Sequence, residues 1–413
     1  MNAYAVIVLV TLLFEWILSL GADFLNLKRL ATALPQEMAG VYDPAVYRKS
    51  QEYTRVTTRF GWVVSIFMLV LTLIFWFSGG FNGVDQWLRG FRFNRVLTGV
   101  LYVGLLSVLQ SLVSLPFSLY STFVIEERFG FNKTTARLFF ADRAKGLLLS
   151  LVLGGPLLAA LLAFFEYGGP HAWIYAWGVV AVFQLLVQLV APTWIMPLFN
   201  RFEPLEAGAL KDAIMAFADA VHFPLQNVFV MDGSRRTSKS NAFFTGFGKN
   251  KRIALFDTLI ASQTTPELVA VLAHEIGHYK KKHIVLGLGM SVLHIGTVFF
   301  LLSLFIGHAG LYDAFFMDEP SVYAALIFFG MLFTPVEFVL SLFMNMLSRK
   351  HEYEADRFAA QSIEHSETLV EALKKLAVHN LSNLTPHPLY TFLNYSHPPL
   401  LDRIRAIRRL SAG

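Results

Sequence analysis

Residues 274–307 of this 413-residue chain read HEIGHYKKKHIVLGLGMSVLHIGTVFFLLSLFIG, and they combine a metal-binding motif with an apolar segment. It begins with the HExxH pattern His274-Glu275-Ile276-Gly277-His278 and continues into an apolar block that covers residues 284–307. Residues four apart share a helix face, so both imidazoles can bind one Zn²⁺ while the intervening carboxylate reaches the metal's water. The apolar block exceeds the roughly 20 residues that cross a bilayer core. We therefore expect one zinc site at a membrane boundary.

The composition excludes an ordinary soluble protein, because 55% of the residues are hydrophobic and only 15% are charged. The apolar residues are concentrated in blocks, each long enough to span a bilayer. These blocks cover residues 3–21, 60–80, 97–125, 147–165, 172–196, 284–307 and 322–347. The pattern predicts a mainly α-helical, polytopic membrane protein with about seven transmembrane helices. The first block lacks a basic region and an A-x-A cleavage site, so we expect it to be retained as a helix.

The third zinc ligand must be another His, Asp or Glu, since the chain contains no cysteine. Glu352 is the best candidate, because it follows the last apolar block in the segment Glu352-Tyr353-Glu354-Ala355-Asp356. Glu352 and Asp356 share a helix face, so one carboxylate can bind metal while the other accepts the outer N–H of a ligating imidazole. We expect Glu354 to be solvated and His351 not to be a ligand.

The same pattern predicts hydrolysis of a peptide bond. Zinc lowers the pKa of its water towards about 7 and polarises the carbonyl, and Glu275 can take the proton and pass it to the leaving amine. A purely structural zinc would have no need of Glu275. We expect His283, His294 and His308 to serve as boundary, helix-packing and loop residues.

The distribution of basic residues predicts the orientation in the membrane. If seven spans alternate, one side holds residues 22–58, 126–146, 197–283 and those after 347. This side carries most of the Lys and Arg, so the positive-inside bias places the HExxH region in the cytoplasm and the N-terminus outside. The loop 81–94 on the other side, with Arg89 and Arg92, opposes this assignment.

The chain divides into alternating membrane and soluble parts. Residues 227–231, 241–247 and 252–256 have the composition of strands, and the cluster Gly248-Lys249-Asn250 predicts a β-hairpin between the last two. Thr264, followed by proline and Glu267, predicts the start of the HExxH helix. The predicted parts are spans one to five (1–199), a first protease segment (200–283), spans six and seven (284–347) and a second protease segment (348–413).

Five separated motifs resemble those of the CAAX prenyl protease 1 family, the type I prenyl endopeptidases. They occur in the order found in that family and extend over most of the chain. The motifs are FVIEE with FGFNK (123–133), SNAFF (240–244), HEIGH (274–278), EYEAD (352–356) and YSHPPL (395–400).

The resemblance implies seven helices around a large intramembrane chamber, capped on the cytoplasmic side by a zincin-like metalloprotease domain. It also implies roles for three further residues. Asn241 resembles the residue that holds the substrate backbone beside an edge strand, a mode in which main-chain pairing supplies affinity. His397 resembles the histidine that steadies the oxyanion near zinc, and Arg403 resembles its supporting neighbour.

The predicted function is an integral-membrane zinc endopeptidase that cleaves near the C-terminus of a peptide or protein substrate. Family members of this type remove the last three residues of prenylated CAAX proteins, and whether this chain requires a prenyl group stays open. The alternatives are a membrane-protein quality-control protease without that requirement and a non-hydrolytic receptor or clearance factor with structural zinc.

We expect contact with membrane lipid and none with nucleic acid. A bacterial inner membrane is the expected location, with the ER membrane as the eukaryotic alternative.

Overall fold

The computed structural model describes residues 1–31, 33–225, 227–245 and 252–411. Helices dominate, and short π-helical segments extend or join three of the membrane helices, at Ser121–Glu126, Ser150–Gly154 and Ala191–Ile195. The first seven helices are α1 (Ala3–Lys28), α2 (Pro44–Phe77), α3 (Gly80–Arg89), α4 (Arg95–Tyr120), α5 (Ala136–Leu149), α6 (Gly155–Tyr167) and α7 (Ala172–Val190). The others are α8 (Ala209–Ala220), α9 (Asp257–Ser262), α10 (Thr265–Lys280), α11 (His283–Phe305), α12 (Ala309–Asp313), α13 (Val322–Ser362), α14 (Ser366–His379), α15 (Pro388–Asn394) and α16 (Leu400–Ser411).

Seven helical segments in the described part of the chain are long and apolar enough to cross a membrane, as predicted. Each of them contains most or all of one apolar block of the sequence. They cover Ala3–Lys28, Pro44–Phe77, Arg95–Glu126, Ala136–Tyr167, Gly169–Leu198, His283–Phe305 and Val322–Ser362.

The seven spans follow one another around a ring. The helix α1 contacts α2 and α13, while α4 packs on α6, α6 on α7, α7 on α11 and α11 on α13. Phe60 and Phe67 of α2 close the ring by contacting Phe117 of α4, with ring centroids 6.4 and 5.1 Å apart. Only 6–17% of the most apolar window of each span is buried, far less than one complete face of each helix. Most of the surface of each span therefore has no protein neighbour among the described residues.

The end of the ring remote from the HExxH helix is closed by aromatic side chains and an ionic network. Trp76, Phe315 and Phe328 are fully buried there. Arg89 contacts Asp85 at 2.7 Å and Glu319 at 2.6 Å. The prediction of a loop at residues 81–94 was wrong for most of this segment, because the helix α3 extends to Arg89. Arg89 is paired with two carboxylates, but the positive-inside bias counts Lys and Arg and not net charge, so Arg89 still opposes the predicted orientation.

The predicted β-hairpin is confirmed, but it is part of a larger sheet. The strands are β1 (Phe202–Pro204), β2 (Asn227–Met231), β3 (Ala242–Thr245) and β4 (Arg252–Phe256), in the spatial order β1-β2-β4-β3. Strands β3 and β4 are antiparallel, whereas β2 runs parallel to β4 and antiparallel to β1. Residues 246 and 247 of the predicted strand, and the predicted turn at 248–250, lie outside the described residues. Within the described residues β3 is an edge strand.

The HExxH helix α10 begins as predicted. Thr264 and Glu267 form a capping box, in which the Thr264 backbone N–H donates to Glu267 Oε2 at 2.7 Å. Lys375 of α14 pairs with the same carboxylate at 2.7 Å, which ties the start of α10 to the neighbouring helix. Leu268, Leu272 and Ile276 of α10 are buried in a core shared with the sheet. Apolar burial and capping together therefore hold α10 in place.

The longest helix, α13, connects the membrane ring directly to the soluble part. It runs without interruption for 41 residues, from the seventh span into the segment that contains Glu352 and Asp356. The predicted division between residues 347 and 348 falls inside this helix, so one helix belongs to both parts. Met38 and Tyr42, from the connection after α1, pack with Ala270 and Leu369 on the protease side. This packing supports the predicted grouping of segments on one side of the ring.

Candidate active site

The site lies where α10 crosses α13, and a glycine permits their close approach. A Cβ atom on Gly277 would stand 3.0 Å from both the Cα and the carbonyl oxygen of Ala355. Both are backbone atoms, so a change of side-chain rotamer cannot relieve the contact. The small residue therefore lets the face of α10 that carries His274 and His278 approach the face of α13 that carries Glu352.

We expect Gly277→Ala to weaken metal binding and to destabilise the fold by about 1–3 kcal/mol, the usual cost of overpacking a tight interface. The matched control is Gly287→Ala in α11, where an added Cβ meets no atom within 4 Å. Both substitutions gain the helix propensity of alanine, about 1 kcal/mol, so only the crossing distinguishes them. Metal content and thermal unfolding in detergent provide the measurements. Equal metal content and equal unfolding temperatures in the two variants would contradict the proposed role of Gly277 at the helix crossing.

Three side chains converge at the crossing with the spacing of metal ligands. His278 Nε2 lies 3.1 Å from His274 Nε2 and 3.2 Å from Glu352 Oε1, and His274 Nε2 lies 3.6 Å from Glu352 Oε2. Ligand atoms about 2.1 Å from one tetrahedral ion stand roughly 3.4 Å apart, and the three observed distances lie close to this value. Together the three form the one group of potential metal-binding side chains found in the described part of the chain.

The outer ring nitrogens of both histidines are already engaged, so their Nε2 atoms are left to face each other. His274 Nδ1 lies 2.9 Å from Asp356 Oδ1, and His278 Nδ1 lies 3.1 Å from His283 Nδ1. If each Nδ1 carries the proton, two Nε2 lone pairs meet at 3.1 Å, an arrangement that a cation between them would stabilise. Glu352 Oε2 is buried and has no hydrogen-bond partner among the described residues. These donors therefore fit a divalent metal ion.

Arg403 of α16 makes two hydrogen bonds to the carboxylate of Asp356, the residue that contacts His274 Nδ1. Its Nε donates to Asp356 Oδ2 at 2.8 Å and its Nη2 donates to Oδ1 at 2.7 Å. Its Nη1 also lies 3.5 Å from Glu352 Oε2. Burial alone lowers the pKa of Arg403, but the surrounding carboxylates outweigh burial and hold that pKa above its usual range. Arg403 therefore stays charged and holds both acidic residues of α13 in position.

Glu275 lines the cleft that contains the three convergent side chains. Burial raises the pKa of its carboxyl above the ordinary value, although the nearby His274 and His278 oppose this shift. A carboxylate with a raised pKa accepts a proton more readily near neutral pH than an exposed one. The cleft has a volume of about 580 Å³ and is also lined by Asn241, His397 and Arg403.

Asn241 and His397 border the cleft and belong to different parts of the fold. Asn241 directly precedes the edge strand β3, and its own Oδ1 accepts a hydrogen bond from the Ala242 N–H at 2.9 Å. His397 is exposed in the turn before α16, with its Nε2 3.4 Å from Glu352 Oε1. Its Nδ1 lies 3.0 Å from the Ser396 hydroxyl. The structure thus brings every site residue named from the sequence to the cleft or its immediate support.

Two expectations about neighbouring residues were wrong or incomplete. Glu354 is not simply solvated, because its Oε2 lies 3.0 Å from His283 Nε2. His283 is a boundary residue, as expected, but its imidazole is buried and also contacts His278. His351 is not among the convergent ligands and stacks on His283, with ring centroids 3.9 Å apart. His294 pairs with Glu337 of α13 at 2.8 Å, in keeping with its expected packing role.

Comparison with known proteins finds the same architecture elsewhere. Residues 23–201 match the family described as CAAX prenyl protease N-terminal, five membrane helices, and residues 204–411 match peptidase family M48. CAAX prenyl protease 1 of Saccharomyces cerevisiae is 38% identical over 406 residues, which cover 92% of this chain and 89% of that protein. The CAAX prenyl protease 1 homolog of Homo sapiens is 34% identical over 450 residues, covering 97% and 94%. The crystal structure of S. mikatae Ste24p aligns with a TM-score of 0.93 at 35% identity, covering 98% of this chain and 99% of that one.

Proposed function

This chain belongs to the CAAX prenyl protease 1 family of M48 peptidases and is a multi-pass membrane metalloendopeptidase, and we propose that its metal is one Zn²⁺ held by His274, His278 and Glu352. Two imidazoles and a carboxylate form a ligand set typical of hydrolytic zinc. The observation that carries the proposal is the pair of Nε2 atoms 3.1 Å apart, with both outer nitrogens engaged and a buried carboxylate oxygen of Glu352 left without a hydrogen bond.

The residues around this site divide the chemistry of hydrolysis among them. When bound, zinc supplies a Lewis acid that polarises the substrate carbonyl and lowers the pKa of a water molecule. Glu275 accepts a proton from the attacking water on its carboxylate and then donates it to the leaving amine nitrogen. His397 donates a hydrogen bond from its Nε2 to the developing oxyanion. Asp356 and Arg403 keep the imidazole of His274 in the tautomer that leaves Nε2 free.

The substrate backbone binds beside β3 in this proposal. The outer edge of that strand faces no other strand in the described residues, and Ala242 to Phe244 line the cleft together with Asn241. An extended peptide can therefore add to the sheet by main-chain hydrogen bonds, with Asn241 holding its backbone at the start of the strand. The cleft also reaches Ile284, close to the membrane end of α11.

The membrane ring supplies the other half of the substrate site. We infer that the interior of the ring continues from the cleft, where its apolar side chains would suit an isoprenyl group attached near the substrate C-terminus. Surrounding membrane lipid covers the outer face of the ring. We place the protease part, made of residues 200–283 and 348–413, on the cytoplasmic side, because the basic segments cluster there. The membrane is a bacterial inner membrane, or the ER membrane in a eukaryotic host.

The decisive experiment offers the purified protein one C-terminal peptide in farnesylated and unmodified forms. We expect the farnesylated peptide to have a kcat/KM at least about tenfold higher, since each buried CH₂ contributes about 0.8 kcal/mol and about 1.4 kcal/mol is a factor of ten. Equal turnover of both peptides would favour the quality-control alternative. Failure to cleave either peptide, by a metal-loaded sample, would favour the non-hydrolytic receptor.

A further inference from the structure

We propose that His283 is a positioning residue for His278, acting through a hydrogen-bond relay that ends on Glu354. The inference rests on the proposed metal site, because it concerns how one ligand of that site is held. It gives the second ligand histidine a support of its own, separate from the Asp356 and Arg403 support behind His274.

The relay follows from two consecutive contacts. His278 Nδ1 lies 3.1 Å from His283 Nδ1, and His283 Nε2 lies 3.0 Å from Glu354 Oε2. The three residues come from α10, α11 and α13, so the relay joins the HExxH helix to both neighbouring spans.

The proton positions in this relay are determined by the metal. His278 Nε2 faces the metal ligands, so a metal-binding His278 carries its proton on Nδ1. That N–H donates to His283 Nδ1, which must therefore be an unprotonated acceptor. A neutral His283 then carries its proton on Nε2 and donates it to the carboxylate of Glu354. Each proton has one consistent position, and every hydrogen bond points away from the metal.

The imidazole of His283 is also held in the orientation that this relay requires. Its side chain is 5% exposed and lies parallel to His351, with an angle of 10° between the ring planes. The backbone contributes as well, because Lys282 adopts a left-handed conformation with φ of 60° and so turns the chain between α10 and α11. Glu354 is 36% exposed and also lies 3.8 Å from Lys350. The inner part of the relay is thus buried and its outer end meets solvent.

Metal affinity of the intact protein in detergent tests the relay by chelator competition with Zn²⁺. We expect His283→Ala to weaken Zn²⁺ binding by about 10–100-fold, the usual loss when the partner of a ligand histidine is removed. We expect His283→Gln to recover much of this loss, because its amide oxygen can accept the His278 N–H. The Co²⁺-substituted protein should show a changed absorption spectrum in the alanine variant and a spectrum closer to the original in the glutamine variant. His365→Ala, an exposed histidine of the same part of the protein, is the matched control.

Two further measurements separate the possible failures. His274→Ala should abolish tight Zn²⁺ binding, and retention of the metal by that variant would overturn the metal site itself and the relay with it. If His274→Ala loses the metal while His283→Ala binds it as tightly as the control, only the relay is wrong. Thermal unfolding of the metal-free variants detects a merely structural role. Such a role would lower the unfolding temperature of the alanine variant without changing its Zn²⁺ affinity or Co²⁺ spectrum, and that result would also overturn the relay.

Discussion

Glu275→Gln is expected to remove nearly all peptide cleavage while leaving the metal in place. Glutamine has almost the same shape as glutamate but cannot accept the proton of the attacking water. General base catalysis contributes about 10²–10⁴-fold to such reactions, so kcat should fall by a factor in that range. Metal content should stay near one ion per chain, because the Glu275 carboxylate is not among the three convergent ligands.

The control for this substitution is Glu364→Gln, which removes the same charge from an exposed position after α13. That variant should cleave at the original rate. Steady-state kinetics and metal analysis on the same preparations separate the loss of a base from the loss of the ion. Cleavage by Glu275→Gln within a few-fold of the unmodified protein would assign proton transfer to another group.

Arg403→Met is expected to lower the free energy of unfolding by about 3–5 kcal/mol, because it leaves the buried carboxylate of Asp356 without its partner. Two hydrogen bonds of 2.7 and 2.8 Å disappear together. Asp356 would then relax towards other donors or take up a proton, and His274 would lose its fixed tautomer. We therefore expect weaker metal binding in addition to lower stability.

Arg409→Met provides the matched control, since Arg409 belongs to the same helix and is exposed. Denaturant unfolding in detergent micelles, with and without metal, measures both effects. Arg403→Lys should recover only part of the loss, because an ammonium group cannot make the paired hydrogen bonds of a guanidinium. If Arg403→Met and Arg409→Met unfold at the same denaturant concentration, Arg403 does not have the supporting role assigned to it.

Local patterns in the sequence were sufficient for the spans and for most of the site. The apolar blocks predict helices directly, because a bilayer leaves the backbone no other common way to satisfy its hydrogen bonds. His274 and His278 share a face through their spacing, and Glu352 and Asp356 do so through theirs. The roles of Asn241, His397 and Arg403 came only from family resemblance. Without it, the segment that contains His397 reads as a turn before the last helix.

The contacts that the sequence did not predict all depend on tertiary structure. His283 and Glu354 are 71 positions apart, and no periodicity links them. Strand β1 is only three residues long, too short for a composition signal. The parallel pairing of β2 with β4 requires the connection through β3 to be known in three dimensions. The ion pair between Arg89 and Glu319 joins residues 230 positions apart, so it too depends on tertiary structure.

The uninterrupted course of α13 has a mechanical consequence. At 1.5 Å per residue its 41 residues extend for roughly 60 Å, about twice the thickness of the hydrocarbon core. Glu352 therefore lies on the continuation of a helix whose first part is embedded in lipid and contains Pro335. We expect a tilt imposed by a thicker or thinner bilayer to shift this carboxylate relative to the two histidines. We therefore expect catalysis in this enzyme to depend on bilayer thickness, and to differ between a detergent micelle and a native membrane.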